Sequence, residues 1–317
     1  DGGQTWTCVL RTTQTELVAI DFLDAQNGVA FSDGGSVYTT ADGGATWTGT
    51  ADPNVLTLRH AVLDTKSTGP QPDATVDGVT FREGRLGWAF GSRDENQSDA
   101  KSGRITSVTR PLVARTTDGG ATWTEVKLDK ALPPVSLRRG FFVDAQNGWA
   151  VGGDIDEDVT GAVLRTSDGG ATWSAVTPGG SQIPNDVFFV DANRGWLVGA
   201  TEDEAGESGP SEVLTSADGG KTWQSQARVA TSLRGIQFAD AQTGWAVGAG
   251  GKVYRTTDGG ATWVEQTNHD WSGGQVIDLT DPIFSGGTPP TFAGFALVAL
   301  GHGFAASDLG VYEYRAK

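Results

Sequence analysis

The chain has 317 residues, 46 of them glycine, and carries 39 acidic side chains against 23 Lys and Arg, a formal charge of -16. That charge repels nucleic acid and anionic lipid, and no apolar run approaches the roughly 18 residues of a membrane-spanning helix. The single cysteine, Cys8, excludes an internal disulfide and a thiolate metal cluster and reads as a small buried hydrophobe, while abundant glycine with 11 Trp against 4 Tyr reads as short strands joined by tight turns.

From the N-terminus, the phrase Asp-Gly-Gly-x-Thr-Trp occurs at Asp1 to Trp6, Asp42 to Trp47, Asp118 to Trp123, Asp168 to Trp173, Asp218 to Trp223 and Asp258 to Trp263. A repeat of about 40 residues carrying four short strands has the size of a propeller blade. The spacing predicts one β-propeller domain over 1–317, with a closing strand at 1–10 and blades at 11–50, 51–127, 137–178, 183–228, 231–267 and 293–317, and an insertion at 268–292. A second insertion falls at about 51–78. Six four-stranded antiparallel blades are expected. Seven is the alternative, because Thr57-Leu-Arg-His-Ala-Val-Leu-Asp64 has the look of an additional first strand. The segment Gly303 to Lys317 resembles Gly28 to Ala41, and each stops just before an Asp-Gly-Gly, at Asp1 and Asp42 respectively. The N-terminal strand is therefore expected to complete the last blade, which removes exposed strand edges.

The repeated phrase has a mechanical reading. Its Asp accepts hydrogen bonds from turn amides, its glycines take positive φ, and its Thr-Trp opens the next strand. Four further tryptophans, Trp88, Trp149, Trp196 and Trp245, share one second-strand position, which Val29 and Phe304 fill elsewhere. Repetition at one register predicts packing, so ten tryptophans are assigned to the core and only Trp271 lacks a repeat address. Tyr38 and Tyr254 are likewise equivalent third-strand residues.

These phrases resemble the Asp-box, or bacterial neuraminidase repeat. The combination with Gly-Trp-Ala-Val-Gly is most similar to the photosystem II stability/assembly factor-like propellers. That resemblance implies an exported, non-enzymatic scaffold that engages membrane-protein partners or assembly intermediates through an arginine patch, matched here by Arg138 and Arg139, with Arg234 and Arg59 in similar Leu-Arg contexts. A chain that starts within the repeated phrase and lacks Met implies removal of an upstream targeting segment, hence a secreted or periplasmic location on the outer face of a bacterial envelope.

The predicted loops between second and third strands are acidic, and equivalent loops share a face. Asp94, Glu95, Glu202, Asp203 and Glu204, with the arginines and Trp271, form the expected partner surface. Asp154, Asp156 and Asp158 alternate like the oxygen donors of a calcium loop, but Val159 stands where glycine is needed, so Ca²⁺ is the one cofactor considered. No catalytic residue is assigned, since the histidines are dispersed and no nucleophile motif occurs. The expected function is a protein-binding, assembly-factor-like scaffold, and the alternative is a glycan-binding or sialidase-like glycoside-hydrolase propeller.

Overall fold

Alternating β-branched and small residues broken by Asp-Gly-Gly turns form 24 short strands in the computed structural model. It describes residues 7–11, 17–22, 25–32, 37–50, 74–82, 86–98, 105–118, 123–154, 160–179, 183–200, 209–249, 252–266, 292–299, 302–307 and 310–315. The first blade is β2 (Leu17–Phe22), β3 (Gly28–Ser32), β4 (Val37–Thr40) and β5 (Thr48–Thr50); the second is β6 (Ala74–Arg82), β7 (Leu86–Ser98), β8 (Ile105–Thr116) and β9 (Thr124–Glu125). The third comprises β10 (Ser136–Phe142), β11 (Gly148–Asp154), β12 (Thr160–Thr166) and β13 (Ser174–Val176). The fourth comprises β14 (Ile183–Phe189), β15 (Gly195–Ala200), β16 (Ser211–Ser216) and β17 (Gln224–Val229). The fifth comprises β18 (Leu233–Phe238), β19 (Gly244–Gly248), β20 (Val253–Thr256) and β21 (Val264–Glu265).

All five are antiparallel meanders of consecutive strands. A further four-stranded sheet has the order β1 (Thr7–Arg11), β24 (Gly310–Arg315), β23 (His302–Ser307), β22 (Phe292–Ala299), so both ends of the described chain contribute to it. The expected count of six or seven blades is therefore corrected: five blades are continuous repeats, and the remaining sheet is assembled from the two ends. The residues proposed as a further first strand, Thr57 to Asp64, lie outside the described residues. The inner strands β2, β6, β10, β14, β18 and β22 each pack on the next, and β22 returns to β2, which closes the ring.

The blades are joined by an aromatic unit that repeats three times. Trp88 of β7 stacks on Phe142 of β10 at 3.5 Å, and Trp173 meets that Phe edge-on at 5.9 Å. Trp149, Phe189 and Trp223 repeat this between the third and fourth blades, and Trp196, Phe238 and Trp263 between the fourth and fifth. Each second-strand indole also donates to the first glycine carbonyl of the next blade's turn: Trp88 to Gly169, Trp149 to Gly219 and Trp196 to Gly259, at 2.9 to 3.0 Å. Val29 takes this position in the first blade and packs in a cluster with Phe81 and Trp123. Trp88, Trp149, Trp196 and Trp245 are buried, as are Trp123 and Trp173. Trp47, Trp223 and Trp263 are half-buried, and Trp6 lies outside the described residues.

The turns work as hydrogen-bonded staples. Asp42, Asp168, Asp218 and Asp258 each accept the amide and the hydroxyl of the Thr four residues on, and a bond from the preceding Thr or Ser hydroxyl. Asp118 accepts the Thr116 hydroxyl at 2.7 Å. Asp1 lies outside the described residues. The second glycine of the turn is required twice over. Gly170 has φ +85°, and a Cβ there would sit 2.8 Å from the Trp88 indole nitrogen.

One predicted loop is a strand. Asp94 and Glu95 belong to β7, which pairs with β8 continuously from Gly87↔Thr116 to Ser98↔Ile105. The alternation Asp-Glu-Asn-Gln-Ser reads as polar loop by composition, but an antiparallel partner rich in Ile, Thr and Val carries it as strand.

Candidate functional site

Each inner strand begins with a β-bulge, and the bulges fall at one register. The bulged residues are Val18, Asp77, Arg138, Asn185, Arg234 and Ala293, each four positions before the anchor Phe22, Phe81, Phe142, Phe189, Phe238 or, in β22, Leu297. A bulge re-aims the side chains that follow it. Here it sets two rings: the bulge residues at the strand-entrance mouth of the ring, and one step further in the column Ala19, Gly78, Arg139, Asp186, Gly235 and Gly294. Small residues dominate that column because inner strands crowd each other there. A Cβ on Gly78 would meet the Arg138 carbonyl oxygen at 2.7 Å.

Arg139 and Asp186, on adjacent blades, are the charged members of this column. They line an axial cavity of about 50 Å³ together with Asp21, Thr80, Arg82 and Gln237. Every inner strand from β2 to β18 contributes to its wall. A water needs about 10 to 15 Å³ of such space, whereas drug-sized ligand pockets run to roughly 300 Å³ and more. Among the described residues the cavity has room for a few waters.

Its carboxylates hold the blades together. Asp21 accepts the Phe22 amide at 2.9 Å and, across the blade boundary, the Phe81 amide at 2.8 Å and the Thr80 hydroxyl at 3.1 Å. Asp186 accepts the Val187 and Ile236 amides, both at 2.9 Å, joining the fourth blade to the fifth. Burial pushes the Asp186 carboxyl up to about 6 against the opposing pull of Arg139 and the two amides. Burial likewise raises Asp21, opposed by Arg82 and the amides. Arg139 is lowered by burial and held up by Asp186, Asp77 and Asp21. Arg82 donates to the Phe142 and Phe81 carbonyls and lies 4.7 Å over the Phe141 ring. Lone pairs committed to backbone amides of a neighbouring blade are poorly placed for nucleophilic work.

At the mouth, Arg138 Nη1 donates to Asn185 Oδ1 at 2.7 Å, and Asn185 Nδ2 donates to the Leu233 carbonyl at 2.8 Å, one residue before Arg234. The structure therefore brings Arg138 and Arg234 to equivalent rim positions with Asn185 between them, and sets Arg139 inside the cavity. The Nε of Arg234 is buried with no acceptor among the described residues. Asp94 is exposed and accepts the Thr109 hydroxyl at 2.8 Å, and Glu95 is half-buried. Asp154 closes β11. Arg59, Trp271, Glu202, Asp203, Glu204, Asp156 and Asp158 lie outside the described residues. Among the described residues no group of three or more His, Cys, Asp or Glu could hold a metal ion.

Sequence reasoning passed over Asp21, Asp77, Asp186, Asn185 and Arg82. The signal was there in the repeat: counting back three from each anchor Phe isolates Arg139 and Asp186 in a column otherwise of Gly and Ala.

No family model and no curated protein matches the chain. Among solved structures it is similar to YCF48 from Cyanidioschyzon merolae, at 17% identity over 98% of both chains with a TM-score of 0.57. YCF48 bound to a D1 peptide matches at 17% identity, 98% of this chain and 97% of that one, with a TM-score of 0.51. The α-L-arabinofuranosidase Arb93A of Fusarium graminearum, in complex with an iminosugar inhibitor, matches at 12% identity over 98% and 97% of the two chains, with a TM-score of 0.55. Peptide-bound and enzyme neighbours alike share the propeller fold.

Proposed function

We propose that this chain is a non-enzymatic, exported scaffold of the assembly-factor-like kind, built from Asp-box repeats, that binds a protein segment on its strand-entrance face. The observation that carries the reading is the rim itself: Arg138, Asn185 and Arg234 at matching bulges of three consecutive blades. Guanidinium groups set at equivalent rim positions in this way suit carboxylate-bearing peptide. The likeness to a YCF48 that carries a peptide supports the same class of partner. A membrane-protein complex or assembly intermediate, met on the outer side of a bacterial envelope, is the partner we assign.

Photo-crosslinking from position 138 or 234 in the native envelope is expected to capture one defined protein partner, and reversal of the other arginine, Arg234→Glu with the first probe and Arg138→Glu with the second, to abolish it. Capture that survives both charge reversals would overturn the reading. The glycan-active alternative rests on the carboxyl and guanidinium groups of the cavity and on the likeness to an arabinofuranosidase. It requires hydrolysis of fluorogenic arabinosides or sialosides that Asp186→Asn removes; no hydrolysis is expected.

A further inference from the structure

Among the described residues the second blade carries a feature that its neighbours lack. β7 and β8 run 13 and 12 residues, against 4 to 7 for the corresponding strands of the other continuous blades. Among the described residues β6 pairs with β7 only as far as Ala74↔Arg93, and β9 pairs with β8 only at Ala114 and Arg115. The pairs Asp94↔Thr109 to Ser98↔Ile105 therefore form a two-stranded arm. At about 3.4 Å per residue it extends roughly 17 Å beyond the blade. It rises past the start of β6, on the strand-entrance side where the Arg138 and Arg234 rim lies. Among the described residues no strand pairs with either edge of it.

The two edges differ. β7 contributes Asp94 and Glu95, and charge on an edge opposes strand addition. β8 reads Ile105-Thr-Ser-Val-Thr109, uncharged, free of glycine and rich in β-branched residues, which is a favourable template for another strand. Pro111, which lacks an N–H, limits the template on the side of the body, and the Arg110 side chain is directed to the Lys130 and Leu132 carbonyls. A two-stranded ribbon is only marginally stable in water, so a third strand would stabilise it.

We infer that this arm takes up an extended, cationic protein segment as a third β-strand along Ile105–Thr109 of β8. Charge selects the occupant. Asp94 and Glu95 lie one strand away and the whole chain carries -16, so a basic segment is attracted and a second copy of this chain is repelled. Main-chain hydrogen bonds would supply affinity, and the alternation of side chains would supply specificity. The inference rests on the protein-binding reading above and adds where the partner's backbone runs.

Hydrogen exchange on the full chain tests it, with a ten-residue peptide alternating Lys and Val as probe and a Lys/Gly peptide of equal charge as control. The outward-facing amides of 105–109 are expected to exchange fast in the isolated chain and to slow by about tenfold or more with the Lys/Val peptide alone. Ser107→Pro and Val108→Pro place a proline on adjacent amides, one of which faces outward. One of the two variants should lose the slowing with its melting temperature unchanged. Outward-facing amides already slow without peptide, equal slowing by both peptides, or slowing that follows protein concentration would each overturn the inference. Continued capture of a partner from positions 138 and 234 alongside such a result would leave the protein-binding reading intact and remove only the arm. Loss of capture with a positive exchange result would do the reverse.

Discussion

Asp186 and the turn aspartates are the same residue type put to opposite use. In the cavity, burial raises Asp186 to about 6, so the folded chain binds its proton more tightly than the unfolded chain does. Its contribution is fully present below the ordinary carboxylate value of 3.8 and is lost as pH rises through about 6; Asp21 has the same sign. In the turns, the hydroxyl and amide of the Thr four residues on lower Asp42, Asp168, Asp218 and Asp258 to about 2, so their contribution is present above 3.8 and lost as pH falls toward 2. The melting temperature is therefore expected to rise as pH falls from 7 to about 4 and then to drop steeply. Asp186→Asn should remove its own share of the first limb, about 1 to 3 kcal/mol, leaving the part due to Asp21 and the second limb in place. A scan of thermal unfolding against pH checks both limbs. Gly170→Ala, which meets positive φ and the Trp88 indole together, should cost about 2 to 4 kcal/mol in denaturant unfolding.

At the level of elements, the blade boundary is a stacked Trp on Phe, a second Trp edge-on, and an indole N–H on a turn carbonyl. Trp149→Phe removes the hydrogen bond to Gly219 and leaves a void in a wall that is fully buried. A loss of about 2 to 4 kcal/mol is expected. Trp245 is just as buried, but its indole N–H has no acceptor among the described residues. Trp245→Phe should cost about 1 kcal/mol less than Trp149→Phe. Equal losses in the two variants, read by denaturant melts, would mean that Trp245 has an acceptor of its own. The sheet assembled from both ends makes a second prediction. Strand β1 pairs with β24 through Thr7↔Glu313, Cys8↔Tyr312, Leu10↔Val311 and Arg11↔Gly310. Deleting residues 1–11 uncovers the edge of β24, and a lower melting temperature with concentration-dependent aggregation is expected by calorimetry and light scattering.

For the whole molecule, ring closure places every strand entrance on one face. The bulges then decide what that face presents: guanidinium and amide groups from three consecutive blades at the rim, and a charge cluster within the cavity that ties β2 to β6 and β14 to β18. Such a centre resists opening, which suits a rigid platform whose recognition elements project from it. The long β7–β8 arm stands on that same face, so rim and arm can contact one partner at two points.

The sequence by itself determined the repeat unit, the turn chemistry and the core tryptophans. Those features depend on local hydrogen bonding and on patterns that recur within about 40 residues. The strand pairing of the two ends was also legible, because Gly303 to Lys317 repeats a segment that must be followed by an Asp-Gly-Gly. The rim arginines were visible only as a resemblance. That Arg138 and Arg234 are bulge residues at equal heights, that Arg139 turns into the cavity, and that Asp186 answers it from the next blade depend on the register of strands that are about 50 residues apart. Asp94 and Glu95 were misread as loop, since polar composition carries no information on whether the following strand continues alongside. Tertiary structure decided these points because side-chain direction in a sheet is set by pairing and bulges, and both are properties of two strands together.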